Sequence, residues 1–276
     1  MNTILLVDNG STRPEATLNL RRLALELTDR VGQEIHPVSL MHSNKIPASE
    51  LTNQPAQTFE PFMRAQLEQG ASAFIIIPLF FGKSRALTRF IPDHVEALQK
   101  EFGPFSVTVA EELCPLPAGE PRLSQILHDH VSQVSTDKHC HADRVILVDH
   151  GSPIPEVTAV RQKIAEQLQE LLGTDIPLGQ AVMERRAGKE YDFNGALLED
   201  ALKALAQDKA SQTVILAMMF FSPGRHAGPG GDIEEIYHGV EIEHPGIQIH
   251  PSPLIAEHPL LIDILQSRLE AIVKEA

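Results

Sequence analysis

Two histidines set beside glycines, His150 in Asp149-His150-Gly151-Ser152 and His226 in Gly224-Arg225-His226-Ala227-Gly228, are residue types that hold first-row metal ions. Glu184, in Val182-Met183-Glu184-Arg185-Arg186, adds a carboxylate. Two imidazoles and a carboxylate suit a divalent ion, and a neutral imidazole near pH 7 can equally accept a proton. Arg185, Arg186, Lys189 and Arg225 cluster near these positions in a chain of net charge −14. Local positive charge on an acidic background predicts an anionic ligand guided to one mouth. Each residue alone also has an ordinary reading: a strand-end histidine, a loop histidine, an exposed ion pair at Glu184.

The elements that must position these residues come as a repeat. Ile4-Leu5-Leu6-Val7-Asp8-Asn9-Gly10-Ser11 returns as Val145-Ile146-Leu147-Val148-Asp149-His150-Gly151-Ser152. Pro78-Leu79-Phe80-Phe81 with Arg85-Ala86 returns as Met218-Met219-Phe220-Phe221 with Arg225-His226, and Pro115–Leu123 matches Pro253–Leu261. Three anchors in one order indicate an internal duplication. Asn9 and Ala86 then stand where the second copy has His150 and His226, and Glu184 has its counterpart at His42. The first copy offers Arg13, Lys83, Arg85 and Arg89 at matching places.

Apolar runs at 3–7, 74–77, 145–148 and 214–217 read as strands buried on both faces. Between them, Leu20, Leu23, Ala24 and Leu27, and later Val160, Ile164, Leu168 and Leu171, recur at helical spacing. Strand–helix alternation predicts an α/β fold of two similar lobes, each a parallel sheet covered by helices on both faces. Ligands of such sheets bind beyond the carboxyl ends of the strands, where both histidines fall. The expected division is an N-terminal lobe 1–131 with a degenerate site, a polar linker 132–143, and a C-terminal lobe 144–276 with the retained site.

The acidic balance argues against nucleic acid, since phosphates require a basic surface. No apolar run reaches 18 residues and no secretion signal is evident, so a cytoplasmic chain with no membrane span is expected. Cys114 and Cys140 are too few for a disulfide framework; Cys114 reads as a buried apolar residue. His139-Cys140-His141 alternates direction in an extended chain, so its members cannot share one ion. Neither a dinucleotide fingerprint nor a phosphate-binding loop is present, and nucleotide use has no support.

The second-copy motifs His150-Gly151-Ser152, Phe220-Phe221 through His226, and Asp232-Ile233, with the ending His258-Pro259-Leu260-Leu261, resemble class II tetrapyrrole chelatases of the CbiX type, the sirohydrochlorin cobalt and iron chelatases. The first copy keeps Gly10-Ser11, Pro78-Leu79-Phe80-Phe81 and Ile91-Pro92, so the resemblance covers nearly the whole chain. It implies a chelatase-like fold with a tetrapyrrole cleft between the lobes and a lyase inserting Co²⁺ or Fe²⁺ (or Ni²⁺) in cobalamin or siroheme biosynthesis. His150 and His226 would hold the metal and take up pyrrole protons, with Glu184 as a further ligand or base. Arg185, Arg186, Arg225, Lys83 and Arg85 would grip the carboxylates of sirohydrochlorin. No organic cofactor is implied, because the metal is itself a substrate, and a fused chain can act as a monomer. The chain departs from the family in Asn9, Ala86 and Phe90, and in a His226–Asp232 spacing two residues longer than usual. These departures motivate an alternative reading as a non-catalytic tetrapyrrole or metal carrier. A third reading is a hydrolase or lyase using His150 as base, for which Ser152 is the nearby candidate nucleophile.

Overall fold

The computed structural model describes residues 2–208 and 211–275. The chain divides into two compact units, residues 1–115 with 262–276, and residues 116–261.

In the first unit β1 (Thr3–Asp8), β2 (Ile35–Ser39), β3 (Ala73–Pro78) and β4 (Ser106–Val109) pair in parallel in the order β2-β1-β3-β4. The connections are α1 (Pro14–Val31), α2 (Phe59–Glu68) and α3 (Ile91–Phe102). Leu5, Val7, Phe74 and Ile76 pack on Phe59, Phe62, Met63, Ile91 and Leu98. Their neighbours Ile4, Leu6, Ile75 and Ile77 are equally buried, and strand alternation directs them to the other face. This two-faced burial is why both strands are continuous apolar runs.

The second unit holds α4 (Pro121–Asp137), β5 (Arg144–Asp149), α5 (Pro155–Leu172), β6 (Leu178–Val182), β7 (Ala196–Leu197), α6 (Leu198–Asp208), β8 (Gln212–Met218), α7 (Asp232–Glu243) and β9 (Ile247–Pro251). Its parallel sheet runs β7-β6-β5-β8-β9. Both α1 and α5 begin with a proline in the first turn, where a missing N–H costs nothing. Among the described residues no helix is long and apolar enough to cross a membrane.

The compact units do not follow the expected division at 131 and 144. Ser132–Asp137, expected as linker, is the last turn and a half of α4. The face Leu123, Ile126, Leu127, Val131 and Val134 is buried, and Ser124 Oγ donates to the Ile164 carbonyl of α5 at 3.1 Å. The final helix α8 (Leu260–Glu275) lies almost wholly in the first unit. There Asp263 pairs with Arg30 at 2.8 Å, and Arg268 donates to the carbonyls of Glu112 and Leu113, each at 3.0 Å. Each unit thus carries the closing helix of the opposite repeat.

Sheet register corrects two of the repeat's expected pairings. Leu40 and Met41 donate to the carbonyls of Asp8 and Asn9, as Met183 and Glu184 do to those of Asp149 and His150. Met41, not His42, therefore stands where Glu184 does. Leu113 and Ile255 donate to the carbonyls of Phe80 and Phe220, so Pro115 and Pro253 are not equivalent.

One carboxylate of the first unit has a sealed oxygen. Asp8 remains partly accessible, but its Oδ1 is sealed from solvent without a hydrogen-bond partner. Burial pushes its carboxyl up to about 6, against hydrogen bonds from Ser39 and the Gly10 backbone that act to lower it. The folded chain consequently binds more protons than the unfolded chain between pH 4 and 6. Stability from this group is gained as pH falls through that window and lost as pH rises. Asp8→Asn is expected to stabilise the protein by about 1–2 kcal/mol at pH 7.5, with little gain at pH 4.5. Thermal melts at the two pH values test this, and equal destabilisation at both would refute it.

Candidate functional site

His150 follows the last residue of β5, and Glu184 follows β6 by two residues. The strands run side by side, with Asp149 opposite Val182. Beyond the ladder Glu184 N–H donates to the His150 carbonyl at 3.2 Å, which keeps the two side chains adjacent. Gly151, at φ +90°, permits the turn; a Cβ there would land on the Glu184 carbonyl oxygen. Gly10 meets Met41 in the same way in the first unit.

His226 lies in the connection from β8 to α7. The extended His226–Asp232 spacing is absorbed by a turn in which Gly231 N–H donates to the Gly228 carbonyl at 3.1 Å. Asp232 and Ile233, in the first turn of α7, donate to the carbonyls of Arg225 and His226, both at 3.1 Å. Ala227 is buried in the core and anchors the loop despite its glycines.

The two imidazoles sit 4.7 Å apart between ring centroids, inclined at 77°. His226 Nδ1 lies 2.6 Å from Asp232 Oδ2, and His150 Nδ1 lies 3.2 Å from the Gly151 carbonyl oxygen. Both acceptors take a hydrogen bond from Nδ1–H, so in the neutral ring each Nε2 offers its electron pair. His150 Nε2 faces Glu184 Oε1 at 3.3 Å. Two electron-pair donors directed at one point call for a proton or a cation between them. Metal–ligand bonds of about 2.0–2.2 Å meeting at roughly 90–110° put two donor atoms about 3.0–3.4 Å apart, so this pair has the bite of a metal chelate. The Asp232 carboxylate behind His226 is the kind of outer partner that orients a metal-binding imidazole. Among the described residues no three His, Cys, Asp or Glu side chains converge as a closed metal cage. The seat is open: the Glu184 side chain is 62% exposed and that of His150 is 46% exposed.

The arginines differ in their engagements. Arg185 donates to Asp192 at 3.3 Å and to the Gly195 carbonyl at 3.0 Å. Arg186 lies over the Tyr191 ring, 5.9 Å from its centroid. Arg225 is 79% exposed, its Nε 3.8 Å from Asp232 Oδ2. Lys83 and Arg85 are exposed on the first unit. There Arg85 and Arg89 line a cavity of about 340 Å³ with Asn9, Met41, Ala86 and Phe90, at the positions the second unit gives to its site. Ser152 makes no nucleophile for His150. Its Oγ accepts the Ile154 N–H at 3.1 Å, and the His150 nitrogens face Gly151 and Glu184.

A family model, CbiX, matches residues 3–134 and again 144–272. The chain belongs to the CbiX family. The two CbiX matches coincide with the internal repeat. A curated relative, the sirohydrochlorin ferrochelatase of Priestia megaterium, is 28% identical over 113 residues, covering 41% of this chain and 40% of that protein. The matched stretch is thus about two fifths of that relative's length. The solved structure of SirB from Bacillus subtilis with Fe³⁺ superposes with a TM-score of 0.70 at 16% identity, covering 98% of this chain and 95% of SirB. The cobalt complex of the sirohydrochlorin chelatase SirB from Bacillus subtilis subspecies spizizenii gives 0.65 at 16% identity, covering 98% and 94%. At such identities these structures establish the shared fold.

Sequence reasoning did not single out Asp232 as a working residue, nor the buried cluster of Asp149, Arg161 and Asn194 beneath His150. Arg161 carried a readable signal, a charged residue on the apolar face of α5 at the place where α1 has Leu20.

Proposed function

We propose that this CbiX-family protein is a chelatase that inserts Fe²⁺ or Co²⁺ into sirohydrochlorin. The observation that carries the reading is the pair of adjacent imidazoles, His150 with Nε2 at chelating distance from Glu184 and His226 backed at Nδ1 by Asp232. A sirohydrochlorin ferrochelatase among its relatives, and SirB structures with Fe³⁺ and with cobalt, support the macrocycle and the two metals; Ni²⁺ has the same preference for such N/O donors.

The reaction exchanges two pyrrole N–H protons for one divalent ion. His150 Nε2 and Glu184 hold the incoming ion as substrate, and neutral imidazole and carboxylate donors release it more readily than thiolates would. His226 Nε2 accepts one pyrrole proton, and the Asp232 carboxylate at Nδ1 stabilises the imidazolium that forms, while Glu184, released as the ion passes to the macrocycle, accepts the other. Arg186 and Arg225, exposed near the histidines, draw the macrocycle's carboxylates.

The test is anaerobic mixing of the protein with sirohydrochlorin and Co²⁺ or Fe²⁺, followed by absorbance. Metallation faster than the protein-free reaction is expected. Binding spectra with no acceleration would instead identify a carrier, and neither binding nor acceleration would end both readings.

A further inference from the structure

His150 is half exposed, and the one hydrogen bond its Nδ1 makes goes to the backbone of the next residue. Its direction therefore depends on how firmly the turn at 149–152 is held. That turn rests on a buried polar cluster. Arg161, 2% exposed on α5, donates Nη1 to Asp149 Oδ1 at 2.7 Å, Nη2 to the Asn194 carbonyl at 2.6 Å and Nε to Gln180 Oε1 at 3.3 Å. Asp149 Oδ1 in turn accepts the Gly151 N–H at 3.1 Å. Asn194, 1% exposed, accepts the Ser152 N–H at 2.9 Å and returns its own Nδ2–H to the Ser152 carbonyl at 2.8 Å. Thr158 Oγ1 completes the set, 3.3 Å from Asn194 Oδ1. The residues on both sides of His150 are thus tied to a rigid helix through two buried intermediaries.

The first unit provides a natural control. Equal positions in α1 and α5 pair Arg161 with Leu20 and Thr158 with Thr17. Counting back from the bridge Ser39–Thr58 and the pair Val182–Leu197, Asn194 corresponds to Pro55. There Asp8 Oδ1 and Thr17 Oγ1 are buried without partners, and Arg21 directs its guanidinium to the carbonyls of Leu51, Gln54 and Pro55. The copy with Asn9 in place of the histidine has also lost the arginine and the asparagine. Structural need alone does not explain the cluster, since the first unit forms the same turn without it.

We infer that Arg161, acting through Asp149, and Asn194, acting through Ser152, are positioning residues that aim His150 Nε2 at the metal seat shared with Glu184. The inference rests on the proposed metal chemistry only in naming what His150 is aimed at. Outer partners of metal-ligating histidines typically contribute ten- to hundredfold in metal affinity or activity.

Two variants test it: Asn194→Ala, and the double variant Asp149→Asn/Arg161→Leu. The second removes both buried charges together, which preserves folding better than stranding one of them. Co²⁺ affinity, histidine-ring NMR and thermal melting would be measured on the full chain, with the kcat and KM of metal insertion alongside. The expected result is a ten- to hundredfold weaker Co²⁺ affinity with shifted His150 resonances, unshifted His226 resonances and a folded protein at 25 °C. Insertion should fall in kcat and rise in the KM for metal, leaving the KM for sirohydrochlorin unchanged. Folded variants with wild-type Co²⁺ affinity and unshifted His150 resonances would overturn the inference. Unfolding of both variants at 25 °C would overturn it too, since the cluster would then serve folding alone. Wild-type protein that metallates nothing would sink the chelatase reading, while the His150 resonances still decide this one.

Discussion

Replacing His150 and His226 together by alanine is expected to slow metal insertion into sirohydrochlorin by about 10³-fold or more, with little change in melting temperature. A positioned general base contributes roughly 10²–10⁴-fold, and the double variant also removes one arm of the His150–Glu184 chelate. The fold should survive because both rings lie beyond the strand ends, with side chains 46% and 28% exposed, so their loss opens no core cavity. The single variants divide the roles. His150→Ala should raise the KM for metal, because Glu184 alone then grips the ion. His226→Ala should lower kcat, because the group that accepts a pyrrole proton is gone. Anaerobic absorbance kinetics measure all three, and a double variant as fast as wild type would remove the second-unit histidines from the mechanism.

Gly151→Ala should destabilise the second unit by about 3 kcal/mol or more, one of the largest effects open to a single methyl group here. The added Cβ meets the Glu184 carbonyl oxygen and comes within 3.2 Å of Val182 Cβ, and φ +90° is itself unfavourable for alanine. Gly173→Ala separates the two contributions. That glycine also has positive φ, at 72° with ψ −158°, but open space where the Cβ would go, so only the conformational cost of about 1–3 kcal/mol applies. Urea denaturation of both variants gives the comparison, and Gly151→Ala no less stable than Gly173→Ala would contradict the close approach. Relief of the collision would push Glu184 away from His150, so metal binding should weaken in whatever fraction remains folded.

The strands carrying the site were legible because burial on both faces turns them into unbroken apolar runs at 145–148 and 214–217. The place of His150 followed directly, since a histidine and a glycine after such a run mark the carboxyl end of a parallel strand. The partner of Glu184 was misplaced at His42 because residue type was matched where only hydrogen-bond register decides, and register puts Met41 there. The polar letters of 132–137 suggested a linker, although Val131 and Val134 continue the spacing of Ile126 and Leu127 and keep α4 helical to Asp137. Asp232 was visible as a motif letter, but its reach to His226 depends on the turn at 228–231, which a count of intervening residues does not describe. The exchange of α4 and α8 had no local signal, because either helix has the apolar face to cover either sheet.

That exchange gives the first repeat a part in the second unit that does not depend on residues 9 and 86. Severing the chain between 134 and 144, where the two family matches part, would free two fragments, neither holding the helix that shields its own sheet. The buried residues Leu123, Ile126 and Leu127 of α4 would leave with the wrong fragment, as would Leu265 and Leu269 of α8. Each compact unit is thereby built from both repeats, as in a domain-swapped dimer but within one chain. Positions 9 and 86 carry no histidine, yet deleting the first repeat would take α4 away and unroof the second unit's sheet.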